Sequence, residues 1–381
     1  SHPEGLPDLP EGGRDDGDGE ADIVKNGSLE TFVDLLPHIT NPFLCKVKAP
    51  NMYHGDMASR VIAMPVDWCA KFKEGTLVIA GVRAVIGSAH LRCKPDFKVG
   101  FVVLETGRES TTIIRAIQRL QATGATLAYY ESRRLGNATF LLMEAPGEYG
   151  LDGFISSRQG GEDGAPALRP AVALVILVDL LRAVQAMEDV GIAHGDISEH
   201  GITLKHEADG VWRAVISDFR SACFVGERDC DVECQSWAFY HAPEMVGGRL
   251  TGPPNNVWQV GLIFAHMLAG GQAIPTCTEM ARLRDDSVMA LSAFEEGRRE
   301  IREFVAHEFD ILGCDGIAGL DAEYQDLVDL AVGMLHKDPA RRWSARGALA
   351  EVLRVAEGRG IEPLPERQKP RLPPEWYEEW Q

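Results

Sequence analysis

Two aspartates stand in polar phrases closed off by apolar runs: Asp196 in HGDISEHG (194–201) and Asp218 in ISDFRSA (216–222). A carboxylate held in a cleft can take the proton of a hydroxyl nucleophile, and a second can ligate a divalent cation such as magnesium. Three more phrases follow in order: HAPEM (241–245), NNVWQVGLIF (255–264) and HKDPARRWS (336–344). Each phrase alone is weak. Their order carries the information, and within it several residues that the chemistry needs are replaced.

The five phrases resemble, in type and order, the C-terminal lobe of a protein kinase. The resemblance implies an α+β, bilobal protein-kinase-like fold with a degenerate β-rich N-lobe and a helical C-lobe. It puts Asp196 at the base position of the H-R-D-x-x-x-x-N catalytic loop. His194 then reads as a packing and backbone anchor rather than a base. Gly195 replaces the Arg that clamps a phosphorylated activation loop, and Ser198 stands where Ser/Thr kinases carry a Lys that touches the transferring phosphate. Gly201 replaces the Asn, which deletes one magnesium ligand. ISDFRSA resembles the D-F-G metal loop, with Asp218 as the surviving ligand, Phe219 as the packing residue and Arg220 in place of Gly. Two dispositions of Arg220 are open. Its guanidinium pairs with Asp218 in the place of a metal ion, or it points to solvent, which is the favoured expectation.

The remaining phrases look architectural. Ala242-Pro243-Glu244 resembles the A-P-E that ends an activation segment, and Arg342 holds the place of the buried partner of that Glu. Asn256 stands where the helix D-V-W-S-x-G has Asp; an amide still hydrogen-bonds the catalytic-loop backbone, without charge assistance. Upstream, FLLMEAPGE (140–148) resembles a hinge, so Met143, Glu144 and Ala145 would meet a nucleotide if one binds. FVVLE (101–105) lies where V-A-I-K belongs, with Leu104 or its neighbour at the Lys position. Segment 110–122 has no interior Glu to pair with such a Lys, and Gly81 and Gly87 form no GxGxxG. Lys94 or Lys98 offers a substitute cation, although a solvated surface role is expected of both.

The elements that must carry these phrases are legible in the periodicity. Short β-branched runs from 60 to 145, with one helical stretch at 110–122, predict the N-lobe. Pro170 opens a long helix on which Leu174, Leu177, Leu181, Val184 and Met187 line one face. Helical patterns recur at 256–269, 285–308, 321–335 and 344–357. The expected divisions are an acidic leader at 1–27, a helical extension at 28–59 capped by Ser28, an N-lobe at 60–145, a C-lobe at 146–358 and a Pro/Trp-rich tail at 359–381. The tail is expected to dock on a partner or to pack on its own C-lobe.

Composition bounds the function classes. Hydrophobic content of 45% and charged content of 25% suit a globular protein. The net charge of −19 argues against nucleic acid or an anionic membrane as partner, because both reward Lys/Arg surfaces. No run approaches the ~20 apolar residues of a membrane span. The eight cysteines make no CxxC pair, and Cys230 and Cys234 read as two loop thiols rather than a metal pair.

HGD in place of HRD, the missing glycine loop and the missing strand Lys are similar to the secreted rhoptry-type kinases of apicomplexan parasites, and most to their with-no-glycine-loop (WNG) branch. That resemblance implies secretion to the parasitophorous vacuole or cyst wall. The expectation for function is a pseudokinase that acts as a scaffold or allosteric partner of other proteins, with no cofactor. The alternatives are an atypical Ser/Thr kinase that uses Asp196 as base and Asp218 for magnesium with a rebuilt ATP site, and a nucleotide-binding switch without transfer.

Overall fold

The computed structural model describes residues 43–378 apart from 51–56, 65, 80–83, 148, 157–164, 207–210, 228–237, 246–251, 271–278, 280–281, 284–293 and 363. The expectations for the leader, the Ser28 cap, Gly81, Cys230 and Cys234 lie outside these residues.

The N-terminal lobe is a seven-stranded sheet. Its strands are β1 (Phe43–Pro50), β2 (Met57–Met64), β3 (Phe72–Ile79), β4 (Ala84–Leu91), β5 (Lys98–Glu105), β6 (Tyr129–Leu135) and β7 (Ala138–Glu144), in the order β2-β1-β3-β4-β5-β7-β6. A short helix, α1 (Val66–Lys71), lies between β2 and β3, and α2 (Arg108–Arg119) lies between β5 and β6. Part of 28–59, where a helical extension is expected, is therefore strand: β1 pairs antiparallel with β2 and parallel with β3. A strand boundary at residue 60 would cut β2 in two.

The two-residue period of β5 sorts its side chains between the lobe's two faces. Val99, Phe101 and Val103 join Ala138, Phe140 and Leu142 of β7 in a core against Trp68 and Phe72. Leu104, with Val102 packed alongside, faces the other way, into the core that α2 fills with Ile113, Ala116, Ile117 and Leu120. All of β7 is buried, so its run ATFLLME shows no alternation.

The C-terminal lobe follows β8 (Tyr149–Gly150) and α3 (Leu151–Ser156). It is built on α4 (Pro170–Asp189) and α5 (Pro253–Ala269), each opened by Pro in its first turn. Between them lie β9 (Ile192–Ala193), β10 (Ile202–His206), β11 (Trp212–Ile216) and β12 (Cys223–Phe224). By length and composition α4 could cross a membrane, which the sequence reading did not anticipate, yet it is a core helix with both neighbours α5 and α9 packed on it. Its buried Asp179 receives two hydrogen bonds from Arg213, at 2.9 and 2.6 Å. The lobe is completed by α6 (Phe294–His307), α7 (Asp315–Ala318), α8 (Gln325–Met334) and α9 (Ala345–Gly358). Ser344 caps α9 by accepting from the Gly347 N–H at 3.1 Å.

After α9 the chain does not settle on the C-lobe alone. Trp376 ends buried against the outer N-lobe core.

Candidate functional site

The loop that carries Asp196 is fixed from below by α5. Asn256 Oδ1 accepts from the His194 N–H at 2.8 Å, and its Nδ2 donates to the Ile192 carbonyl at 2.9 Å. One turn on, Gln259 Oε1 accepts from the Ile197 N–H at 3.1 Å and its Nε2 donates to the Gly195 carbonyl at 3.3 Å. Two amides three residues apart on one helix face thus grip four points of the loop. Gln259 was not singled out from sequence; its i+3 spacing from Asn256 is the signal that could have found it. His194 is fully buried with its ring 4.8 Å from that of Phe219. Burial pushes its pKa down to about 4, with the Asp218 charge opposing. A neutral, enclosed imidazole is an anchor. Gly195 has φ +82°, a conformation that disfavours side chains.

Asp196, Gly201 and Asp218 converge at the mouth of this loop. A Cβ built on Gly201 would sit 3.6 Å from the Asp218 Cβ and 3.7 Å from the Asp196 carbonyl oxygen. Asp196 is half-buried, and its Oδ1 is enclosed without a hydrogen-bond partner. Burial, then the Asp218 charge, push its carboxyl up to about 6, against the pull of Arg220 and His200. Asp218 is held differently. Arg220 Nε donates to Oδ1 at 2.9 Å and to Oδ2 at 3.0 Å, Nη2 donates to Oδ2 at 2.6 Å, and the Arg220 N–H donates to Oδ1 at 3.0 Å. Burial would raise the Asp218 pKa, but the guanidinium holds it below the usual carboxylate range. The favoured expectation of a solvent-pointing Arg220 is thus corrected. Two residues apart and across a turn, the fork reaches both carboxylate oxygens, and pairing outweighs full solvation.

Among the described residues, the β5 wall turns no cation into the cleft. Both positions of β5 that face the inner core, Val102 and Leu104, are aliphatic, while Lys94 and Lys98 are exposed. The α2 helix carries Arg115 toward the cleft side. Arg115 bonds both carboxylate oxygens of Glu227, at 3.0 and 2.9 Å, and lies 4.4 Å over the Phe224 ring. That joins α2 to the chain just after Asp218.

At the end of β7, Met143, Glu144 and Ala145 are all buried. The Glu144 N–H donates to the Ala128 carbonyl at 2.8 Å, the Ala145 carbonyl accepts from Lys205 at 2.7 Å, and Pro146 has no N–H to offer. A Cβ on Gly100 of β5 would lie 2.9 Å from the Glu144 carbonyl oxygen and 3.3 Å from Pro146 Cδ. The Glu144 carboxylate itself is turned away into a buried pair with Arg367 and with Lys205, the latter at 2.6 Å. These two cations hold its pKa down against burial. Arg367 was not anticipated as part of the site.

The architectural positions assemble as a unit. Arg342 Nη1 and Nη2 donate to the two Glu244 oxygens at 2.7 and 2.8 Å, and the guanidinium lies 5.0 Å over the Trp258 ring. Glu199, in the loop after Asp196, is buried and bonded to His266 of α5 and to the Tyr240 hydroxyl. His266 and the hydroxyl keep Glu199 ionised despite burial, and Glu199 in turn drives the Tyr240 pKa well up. No reading of the sequence gave Glu199 a role.

A curled N-terminal sheet, one helix packed under it, a helical C-lobe and a loop-borne pair of aspartates between them define a bilobal kinase-like domain. The profile of the protein kinase domain matches residues 106–353, and the chain belongs to that family. It is similar to Homeodomain-interacting protein kinase 1 of Mus musculus, at 26% identity over 155 residues, 41% of this chain and 12% of that protein. It is similar to the DYRK-family kinase pom1 of Schizosaccharomyces pombe, at 29% over 121 residues, 32% of this chain and 11% of that protein. Against the Serine/threonine-protein kinase grp of Drosophila melanogaster it is 29% identical over 178 residues, 45% of this chain and 32% of that protein. The matched regions thus span no more than 32% of these relatives.

Members of the family normally use ATP and magnesium. The residues here do not fit that pair well. Asp218 already gives both oxygens to a guanidinium, Gly201 has no side-chain ligand, and the inward-facing Val102 and Leu104 of β5 offer no ammonium for phosphate.

Proposed function

We propose that this chain is a pseudokinase, a kinase-fold scaffold or allosteric partner of other proteins in which phosphotransfer is absent or impaired. The observation that carries the reading is the forked Arg220–Asp218 pair, which occupies the carboxylate a metal would need. Phosphoryl transfer draws almost all its acceleration from positioning and electrostatics, and Leu104 and Gly201 stand at the positions of the strand cation and the second metal ligand. The motif losses support placement in the with-no-glycine-loop branch of the rhoptry-type kinases. Secretion fits the cysteines: Cys223 and Cys314 are disulfide-bonded, and disulfides persist in oxidising compartments.

Calorimetric titration of ATP into the protein, with and without magnesium, tests this. No heat and no thermal stabilisation in either condition is the expected result. Magnesium-dependent micromolar binding overturns it and favours the second reading, an atypical Ser/Thr kinase. That reading has one observation of its own: Asp196 keeps a free, enclosed oxygen and a carboxyl raised to about 6, which suits a base. An Asp196→Ala variant in a phosphotransfer assay decides it. Binding that ignores magnesium points to a nucleotide switch.

A further inference from the structure

The chain after α9 is attached at successive points, from α4 of the C-lobe to the outer core of the N-lobe. Arg182 of α4 donates to the Leu364 carbonyl at 2.8 Å, a C-lobe anchor. Glu366 Oε1 accepts from the Gly124 N–H at 2.8 Å, and Arg367 reaches the Gly124 carbonyl and the Glu144 carboxylate. Lys369 donates to the Leu120 carbonyl at 3.0 Å and to Thr126 Oγ1 at 2.8 Å. Leu372 and Trp376 then bury in the outer N-lobe core, where Trp376 stacks on Phe72 with centroids 6.2 Å apart and Lys71 sits 4.7 Å over its ring.

The middle attachments fall on the loop 120–128, which leads from α2 to β6, and that loop is tied to the cleft. Thr126 bridges Ile216, and the Ile216 N–H donates to the Ala125 carbonyl at 3.1 Å, two residues before Asp218. Glu144 makes a second link, since Lys205 of β10 and Arg367 share its carboxylate. Fit at this crossing is close: a Cβ on Gly124 would lie 2.0 Å from the Arg367 carbonyl oxygen.

We propose that residues 364–378 form an intramolecular clamp that sets the closure of the two lobes and, through loop 120–128, holds the Asp218–Arg220 segment in place. The inference stands apart from the pseudokinase reading, because the clamp acts with the cleft empty or filled.

Hydrogen exchange by mass spectrometry on the full chain tests it without nucleotide. Three variants loosen the strap independently. Gly124→Ala pushes it off from beneath without removing a strap group; Trp376→Ala frees its far end; Arg367→Met unpairs its middle while Lys205 still faces Glu144. All three are expected to raise exchange several-fold in 192–206 and 212–219, as well as in 120–128, while α5 and α8 stay as in the wild type. Faster exchange confined to the strap and 120–128, with 192–206 and 212–219 unchanged in Trp376→Ala and Arg367→Met, overturns the proposal. So does a uniform rise that includes α5. Should Gly124→Ala fail to fold, the other two variants decide. The ATP titration reports on the pseudokinase reading by itself.

Discussion

Replacing Arg220 with Gly should give this cleft a metal site. The wild-type guanidinium makes a charge-assisted fork on Asp218, and hydrogen bonds to a charged group contribute about 1.5–3 kcal/mol. The pair is not sealed: 36% of the Arg220 side chain and 20% of that of Asp218 remain exposed. Solvent screening reduces the competing energy to about 1–2 kcal/mol. At about 1.4 kcal/mol per decade, magnesium affinity should tighten roughly 5–30-fold in Arg220→Gly. Adding Gly201→Asn should tighten it again. The new side chain starts from open contact distances of 3.6 and 3.7 Å beside Asp218 and Asp196 and brings a carbonyl oxygen as second ligand. Calorimetric titration of magnesium into wild type, single and double variants, each checked for cooperative thermal unfolding, measures this directly. Equal affinities in all three would mean that the guanidinium does not compete with metal at Asp218, and the carrying argument for inactivity would fall.

Three further outcomes follow from the same geometry. Arg342→Ala strands Glu244 against the lobe core and should cost about 3–5 kcal/mol; thermal unfolding that shifts by less than about 1 kcal/mol would contradict the buried-pair assignment. Asn256→Asp restores the residue more usual in the family but removes the donor to the Ile192 carbonyl. It should destabilise by about 1–3 kcal/mol, with faster exchange across 192–197, and a stabilised variant would refute that. The third concerns pH. Asp196, raised to about 6, favours the fold below about pH 4 and loses that contribution as pH rises through 6. His194, lowered to about 4, does the reverse: its contribution is present above about pH 6.5 and is lost as pH falls through 4. The two nearly cancel in the wild type. Asp196→Asn removes one side, so between pH 6.5 and 4 it should lose about 2–3 kcal/mol more than the wild type does in denaturant titrations. Parallel curves would refute the pairing of these opposed groups.

What sequence made legible was set by backbone and order. The Glu244–Arg342 pair, the Asn256 grip and the placement of FVVLE in the strand before α2 could be read because motif order and a buried register leave few alternatives. What was not legible depends on side-chain direction and on contacts distant in the chain. Arg220 was expected to favour water over Asp218, and only the turn that brings its fork onto both oxygens decides for the pair. Glu199 looks like a surface residue until His266, on another helix, encloses it. Arg367 lies in a Pro-rich stretch whose composition says tail, and its partner is 223 residues earlier. The β1–β2 hairpin was read partly as helix because amphipathic spacing before residue 43 was carried forward into strand sequence.

The left-handed backbone at Gly195 gives the history of such a chain a direction. An Arg at that φ of +82° carries a standing backbone cost of about 1–2 kcal/mol, which selection for a phospho-clamp has to maintain. Once that selection relaxes, glycine is a downhill step, and the stability released can shelter later losses. The reverse step is uphill and yields nothing until the other missing groups have also returned. Gly201 has no such barrier. An arginine placed at 195 would therefore meet a backbone cost that an asparagine placed at 201 would not.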